Sequence, residues 1–462
     1  MNKVYISIIS TLVLAGCAVG PDYVKPKIDT PDSFRHDIEE NKTDSNNRNS
    51  KWWTQLKDER LASYVNQVLE SNFDAKIADM QVGVLLAQFD EAKSYLYPQL
   101  SANPSLIRQN PSLTTNIPMP PGPIDSYTAN LSIASYELDL WGKVRRLNEA
   151  ARAKLLSSEE ARRGVKISLT TNATLVYYKL LAIAEQTKIS KEFAECASKR
   201  LEFSKLMHEQ GTISDSDLND AILNDENAKN QYLSYQKKLV DIQNEYNLLL
   251  GKMPTNMSNI DTEKIYSANI TVPVGLPSTI LENRPDILSA EQELIAANAQ
   301  IGVAKAAYFP TISLTGEFGF QSADFNKLFK GDSRMWQFGP SVNIPIFTAG
   351  RIGAGVASAE YLQKEALLNY QKTIVAAFSE TDSALFGYKN AKEQEKSAKN
   401  SEHVMAENLR MAELRYKYGT ISMPVLLSTK QTYLSTRLAL LDAKIVSLGS
   451  SLSLIKSLGG GF

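Results

Sequence analysis

Gly211-Thr212-Ile213-Ser214 returns unchanged as Gly419-Thr420-Ile421-Ser422, and 419 − 211 = 208. Outward from these turns the correspondence continues. Leu140-Trp141-Gly142-Lys143 has its counterpart in Thr348-Ala349-Gly350-Arg351, where 350 − 142 is again 208. Further upstream, Ala87-Gln88, Ala92-Lys93, Tyr97-Pro98 and Ser101 reappear as Ala299-Gln300, Ala304-Lys305, Phe309-Pro310 and Ser313, offset by 212. Three landmarks in one order at nearly one offset identify a long internal duplication, which sets the architecture before any single residue is read. Each half reads as helix, two strands, very long helix, tight turn and helix.

The strands show period-two patterning. Ile312, Leu314, Gly316, Phe318 and Phe320 alternate with Thr311, Ser313, Thr315, Glu317 and Gln321. Their partner segment puts Trp336, Phe338, Val342, Ile344 and Ile346 on one face, with Gln337, Ser341 and Asn343 on the other. The first half repeats this more loosely. Tyr127, Ala129, Leu131 and Ile133 stand against Thr128, Asn130 and Ser132, after a proline-interrupted strand near 100–109. One apolar and one polar face follow. A sheet half-buried in a soluble domain would alternate too, but strands of about ten residues are what a tilted membrane strand needs. Phe318, Phe320, Trp336, Phe338, Val342 and Ile344 are therefore expected to face lipid. Segments 111–126 and 322–333 suit exposed loops. Four strands cannot close a barrel, and an unpaired edge is forbidden in lipid. The chain must then oligomerise; three copies would supply 3 × 4 = 12 strands, although the strands alone do not choose three over two.

Between the strand pairs lie the helices. Residues 143–209 contain no proline and one glycine, Gly164; at 209 − 143 + 1 = 67 residues, they span roughly 100 Å as a helix. The matching segment 351–418 counts 68. A rod or tube needs such lengths. Leu434, Leu438, Leu441, Ile445, Leu448, Leu452 and Ile455 step by 4 and 3, a heptad seam that packs against neighbouring helices rather than holding a ligand. Helical spacing also covers 59–97, where Pro98 ends it. Residues 251–285, with four prolines, read as an extended crossover between the halves, and Gly459-Gly460-Gly461 stops the final helix.

At 462 residues the chain exceeds what one compact core usually serves. Its 50 basic and 51 acidic residues give no basic field for nucleic acid. Lys3 precedes an apolar stretch from Val4 to Leu14, and Leu14-Ala15-Gly16-Cys17 then resembles the lipobox of bacterial lipoproteins. Residues 1–16 read as a signal segment to be set aside, leaving Cys17 as the first mature residue and the lipidation site. Ala18, in place of aspartate, favours sorting to the outer membrane. Cys196 is the only other thiol, so no intramolecular disulfide is expected. Past residue 16 no run of 18 apolar residues exists; no transmembrane helix is expected, and a crossing would be made by strands.

No phosphate-cradling loop, paired-histidine zinc motif or serine nucleophile elbow is present, so neither an enzyme, a cofactor nor a metal is expected. Gly350-Arg351-Ile352-Gly353-Ala354-Gly355 follows a strand and opens a helix as a dinucleotide fingerprint would. Its spacing is wrong and its counterpart at Gly142 lacks the extra glycines. Asp215, Asp217, Asp220, Asp225 and Glu226 cluster after the first turn. Helix N-terminal capping accounts for such acids; alternatively they ring one end of a tube and select what enters.

Many segments in order resemble the TolC superfamily of outer-membrane factors, in the lipoprotein branch that includes OprM and CusC. They are Leu14 to Tyr23, Ser135 to Arg145, Arg284-Pro285-Asp286, Ala304 to Pro310, Phe338 to Ser341, Pro345 to Arg351 and Leu458 to Phe462. The resemblance implies an α+β membrane protein with four transmembrane strands per protomer. A homotrimer would then carry a 12-stranded barrel in outer-membrane lipid, a long α-helical periplasmic barrel and an equatorial belt. It implies a passive duct for small toxic compounds such as drugs, joined through a periplasmic adaptor to an inner-membrane pump of the RND type. A duct for metal ions or for type I polypeptide export is the alternative of the same class, and a periplasmic adaptor lipoprotein the alternative of another. The expected segments are 1–16 signal, 17–58 arm, 59–97 helix, 98–140 hairpin, 141–250 helices, 251–284 crossover, 285–309 helix, 310–348 hairpin, 349–456 helices and 457–462 tail. The family often reads Leu-Asp-Ala-Gln-Arg in the helix after the second turn, with that Asp in a gate and the Arg near it. Here the stretch is Leu427-Ser428-Thr429-Lys430-Gln431, so Ser428 and Gln431 stand at those two positions. The expected mouth residues are accordingly Gly211, Asp215, Asp217, Asp220, Gly419 and Ser428, with Asp217 and Asp220 supplying the charge Ser428 lacks.

Overall fold

The computed structural model describes residues 18–29, 31, 33–36, 51–110, 112, 122–255, 257, 260–272 and 283–460. Cys17 and the segment before it lie outside the described residues. The duplication is visible in element lengths. Helices α2 (Phe73–Ser94) and α6 (Pro285–Ala306) both have 22 residues. Helices α3 (Lys143–Glu209) and α7 (Arg351–Lys417) have 67 each, and α4 (Asp215–Leu249) and α8 (Met423–Ser457) have 35 each. The chain divides into two compact units, one within Met1–Lys27, Gln81–Glu159 and Ser289–Gln371, the other within Ile28–Met80, Glu160–Leu288 and Lys372–Phe462.

The first unit contains an antiparallel sheet in the order β1 (Ser101–Gln109), β2 (Ile124–Leu138), β3 (Thr311–Ser322), β4 (Arg334–Asn343). Its edge strands carry the prolines, Pro104 and Pro340, where a missing ladder donor is tolerated. Between Ile133 and Tyr136 strand β2 advances three residues against two on β3, from Gly316 to Leu314. This bulge resolves a parity conflict in the sequence. The apolar positions of β2 switch from odd (Tyr127, Leu131, Ile133) to even (Tyr136, Leu138), and the extra residue keeps both sets on one face.

The step from strand to helix is built by Asp139, whose carboxylate accepts the Val144 and Arg145 amides at 3.0 and 2.9 Å. Trp141 stacks on Phe309 at 4.7 Å and donates its indole N–H to the Pro310 carbonyl at 2.7 Å. Gly142, the next residue, has φ +77°, and a Cβ there would meet the Ala18 Cα at 2.6 Å. Gly142 is thus required twice, by its backbone angle and by the close passage of the N-terminal arm.

The single helix expected over 59–97 is two: α1 (Glu59–Ser71) and α2 are split at Asn72, whose backbone is extended. Its amide oxygen caps α2 by accepting from the Asp74 N–H at 2.8 Å, and its amide nitrogen donates to the Leu249 carbonyl at 2.9 Å. The heptad seam of α8 is buried at Leu434, Leu438, Leu441, Leu448, Leu452 and Ile455. Helix α8 is long and apolar enough by composition to cross a membrane, which a count of consecutive apolar residues does not register, yet half of that window is buried within the protein. Polar bonds fasten it to α3 and α7: Lys430 to Glu192 at 2.6 Å, Arg437 to Glu185 at 3.1 Å, and Lys444 to Glu395 at 3.1 Å. The crossover holds one short helix among its described residues, α5 (Lys264–Ser267). Helix α7 ends at Lys417, one residue before the expected limit.

Candidate functional site

Register sorts the sheet into two faces. On one, Ile312, Leu314, Gly316 and Phe318 stand opposite Val342, Pro340, Phe338 and Trp336. Trp336 is 75% exposed and Phe338 66%, and Phe318 and Val342 are exposed as well. A contiguous row of exposed aromatics marks a surface made for contact, with a membrane or with another protein. Two expected positions differ in detail. Ile344 is exposed but lies one residue beyond β4, and Phe320 is half-buried under Phe329, with ring centroids 5.5 Å apart. Phe325 and Phe329, in the β3–β4 connection, are not singled out by the strand pattern; Phe325 packs on Tyr127 at 5.4 Å. Their signal is aromatic content in an otherwise polar loop.

The opposite face carries hydroxyls and amides. Asn103 donates to Ser132 Oγ at 2.8 Å, Gln321 to Ser126 Oγ at 3.2 Å, and Thr315 Oγ1 to the Gly339 carbonyl at 3.0 Å. Two of these bonds join side chains and the third reaches a backbone carbonyl, an arrangement compatible with water on that side.

The two Gly-Thr-Ile-Ser turns share one geometry. Gly211 N–H donates to His208 O at 2.8 Å and Thr212 N–H to Met207 O at 2.9 Å; Gly419 and Thr420 repeat this onto Tyr416 and Arg415 at 2.9 and 2.8 Å. Both are Schellman closures, with glycine in the left-handed region at φ +68° and +72°. Each threonine hydroxyl adds a bond to the carbonyl its own amide uses, at 2.7 and 2.9 Å. The repeated tetrapeptide is thus helix stop and helix start in four residues.

After the turn the halves diverge. Ser214 and Asp217 form a capping box on α4: the Asp217 amide donates to Ser214 Oγ at 3.2 Å, and the Ser214 amide donates back to Asp217 at 3.0 Å. Bonds from the Ser214 hydroxyl and amide hold the Asp217 carboxyl below the usual carboxylate range. Ser422 makes no side-chain cap, and Pro424 and Val425 follow where the first half has Ser216 and Asp217. Asp215 lies 2.6 Å from His208 Nε2 across the first turn. Asp225 is buried, with Lys229 at 2.7 Å and Ser198 Oγ at 2.6 Å; burial would raise its pKa, but these two partners outweigh it and the net direction is down. Of the five clustered acids, Asp220 alone makes no ion pair or hydrogen bond among the described residues.

Ser428 is not brought together with those acids. It is exposed and lines a 370 Å³ cleft with Asn408, Met411, Arg415, Ile421 and Thr432, between α7 and α8. Gln431 is buried, its Nε2 without a partner among the described residues, and its oxygen lies 3.5 Å from an Arg200 nitrogen on α3. A guanidinium from another helix therefore approaches the position where the family pattern carries one in α8, and no spacing in the sequence could have signalled it.

The sequence profile described as "Outer membrane efflux protein" matches residues 64–252 and 276–460. The two matched spans begin 276 − 64 = 212 and end 460 − 252 = 208 residues apart, the offsets of the repeat. The chain is 32% identical over 470 residues to the "Probable efflux pump outer membrane protein TtgC" of Pseudomonas putida, covering all of this chain and 96% of that one. It is 31% identical to the "Cation efflux system protein CusC" of Escherichia coli K12, covering 97% of each. Among solved structures, the Campylobacter jejuni CmeC outer membrane channel superposes with a TM-score of 0.83 at 27% identity, covering 96% of this chain and 95% of that one. The open state of the Neisseria gonorrhoeae MtrE outer membrane channel gives 0.83 at 28% identity, covering 96% and 98%.

Proposed function

The chain belongs to the outer membrane efflux protein family, and on that premise we propose that it assembles as a homotrimeric passive duct for small toxic organic compounds, fed by a periplasmic adaptor and an RND-type inner-membrane pump. It is the outer-membrane channel component of a tripartite efflux system. One observation carries the proposal: a two-faced sheet with β1 and β4 as edges. In lipid every backbone donor and acceptor needs a protein partner, so such edges must meet other copies. Three copies supply 3 × 4 = 12 strands, within the range of closed barrels. The apolar face, with Phe318, Phe320, Trp336, Phe338, Val342 and Ile344, then meets lipid and the hydroxyl-and-amide face lines the duct. Cys17 carries an acyl anchor. The periplasmic mouth lies at the paired turns, with Gly211, Asp215, Asp217 and Asp220 on one hairpin and Gly419 and Ser428 on the other. Asp217 is committed to its cap, so Asp220 is the carboxylate best able to act on passing solutes.

Relatives at 31–32% identity are described variously as toluene, antibiotic, solvent and cation efflux components, so identity alone spans both substrate classes. The organic class is supported by the mostly uncharged polar wall of the sheet, whose hydroxyls and amides offer weak hydrogen bonds to organic solutes; Glu317 is the one charge on it without a counter-ion among the described residues. The test is complementation of a bacterium lacking its own efflux channel, with this chain expressed alongside its pump and adaptor. Restored tolerance to dyes and antibiotics is expected. Restored tolerance to copper or silver only would transfer the reading to a metal-ion duct.

A further inference from the structure

We propose that Glu317, together with its copies in the assembled barrel, forms a belt of negative charge that gives the strand-built part of the duct a preference for cations over anions. The inference rests on the reading that the polar face of the sheet lines the lumen.

Register places Ser101, Ser132, Glu317 and Gln337 in one row across all four strands. The same face carries Ser105, Thr128, Ser313, Thr315, Gln321 and Ser341, all neutral. Four charged residues besides Glu317 occur in the strands, and each is accounted for otherwise. Arg108 and Asp125 pair at 3.4 Å at the strand ends, and their register puts them with the apolar face. Arg334 stands opposite Phe320, also on the apolar face. Glu137 shares the polar face but pairs with Lys143 at 3.0 Å. Among the described residues Glu317 alone is a charge on the polar face with no counter-ion.

Its surroundings hold the carboxylate in place without neutralising it. Asn130 Nδ2 donates to Glu317 Oε1. Asn130 stands directly opposite Gly319, one step along the same face from Glu317. A Cβ at Gly319 would lie 2.6 Å from the Asn130 Cβ, so the glycine leaves the room in which the amide leans onto Glu317. An amide donor carries no net charge, and the belt therefore keeps its sign. Like charges around a confined, water-filled bore with low-dielectric walls concentrate their field on the axis. Screening sets the condition under which this shows, with a Debye length of about 30 Å at 0.01 M salt and about 3 Å at 1 M.

Gln337→Cys, in the same row on β4, reports the local potential without passing current through the helical mouth. Cationic and anionic methanethiosulfonates, both membrane-impermeant, are applied from outside to the full-length assembled protein; the native thiol Cys196 is buried. The ratio of cationic to anionic modification rates should be higher with Glu317 than with Glu317→Gln at 0.01 M salt. It should fall below the Gln value in Glu317→Lys, and all three ratios should converge at 1 M. Equal ratios at low salt overturn the belt while leaving the lumenal face intact. A thiol at position 337 that neither reagent reaches, in a protein of unchanged oligomeric mass, overturns the lumenal assignment and the belt with it.

Discussion

Gly319 and Gly316 are two residues of one strand with opposite tolerance for a methyl group, and the difference is backbone proximity. At Gly319 a Cβ would lie 2.6 Å from Asn130 Cβ, whereas at Gly316 the nearest atom is a Phe338 ring carbon at 3.9 Å. Adding a methyl where backbone and a short side chain already fill the space costs about 1–3 kcal/mol. Gly319→Ala should therefore separate β2 from β3 and lower the amount of assembled channel in outer-membrane fractions. Gly316→Ala should leave it unchanged. Equal yields from both variants would mean that β2 and β3 do not approach as closely as described. The helix-tip glycines act by another means: with nothing within 4 Å of where a Cβ would sit, Gly211 and Gly419 are required by their positive φ alone.

At the scale of elements, the faces of β3 and β4 make unlike demands on adjacent residues. Val342→Arg places a guanidinium on the apolar face and should cost about 2–4 kcal/mol if that position lies near the bilayer midplane. Ser341→Arg, one residue away on the polar face, should assemble at close to the parental yield. Quantifying folded protein in the outer membrane for the two variants checks this, and equal losses would refute the assignment of faces. The helices are fixed by different means. Arg284 reaches the last turn of α8, donating to the Ser457 carbonyl at 3.0 Å while paired with Asp286 and Glu380, both at 2.7 Å. Burial would raise the Asp286 pKa, but the Arg284 guanidinium outweighs it and holds that carboxyl below its ordinary range. The Arg-Pro-Asp stretch noted for its resemblance is thus a clasp on the end of the final helix.

For the molecule as a whole, the strand edges and the N-terminal cysteine make a joint prediction. Native mass spectrometry of protein extracted in mild detergent should give a mass of three copies, each beginning at an acylated Cys17. A monomeric mass would remove the closed barrel, and an unmodified N-terminus would remove the anchor while leaving the barrel standing. The two outcomes are independent because the strands themselves hold the protein in lipid, whether or not the acyl chain is present.

Sequence by itself determined the duplication, the two-faced strands, the long helices and both turns. Each of these is a local or periodic property: a 208-residue repeat, a period of two, an absence of proline, a glycine at a helix end. Tertiary structure alone decided the rest. Asn72 caps α2 locally, but its tie to a carbonyl 177 residues away, at Leu249, exists only in the folded chain. The bulge after Ile133 exists only relative to β3. Arg200 meets Gln431 across 231 residues. Side chains that find their partners through packing rather than along the chain leave no period for a sequence to display.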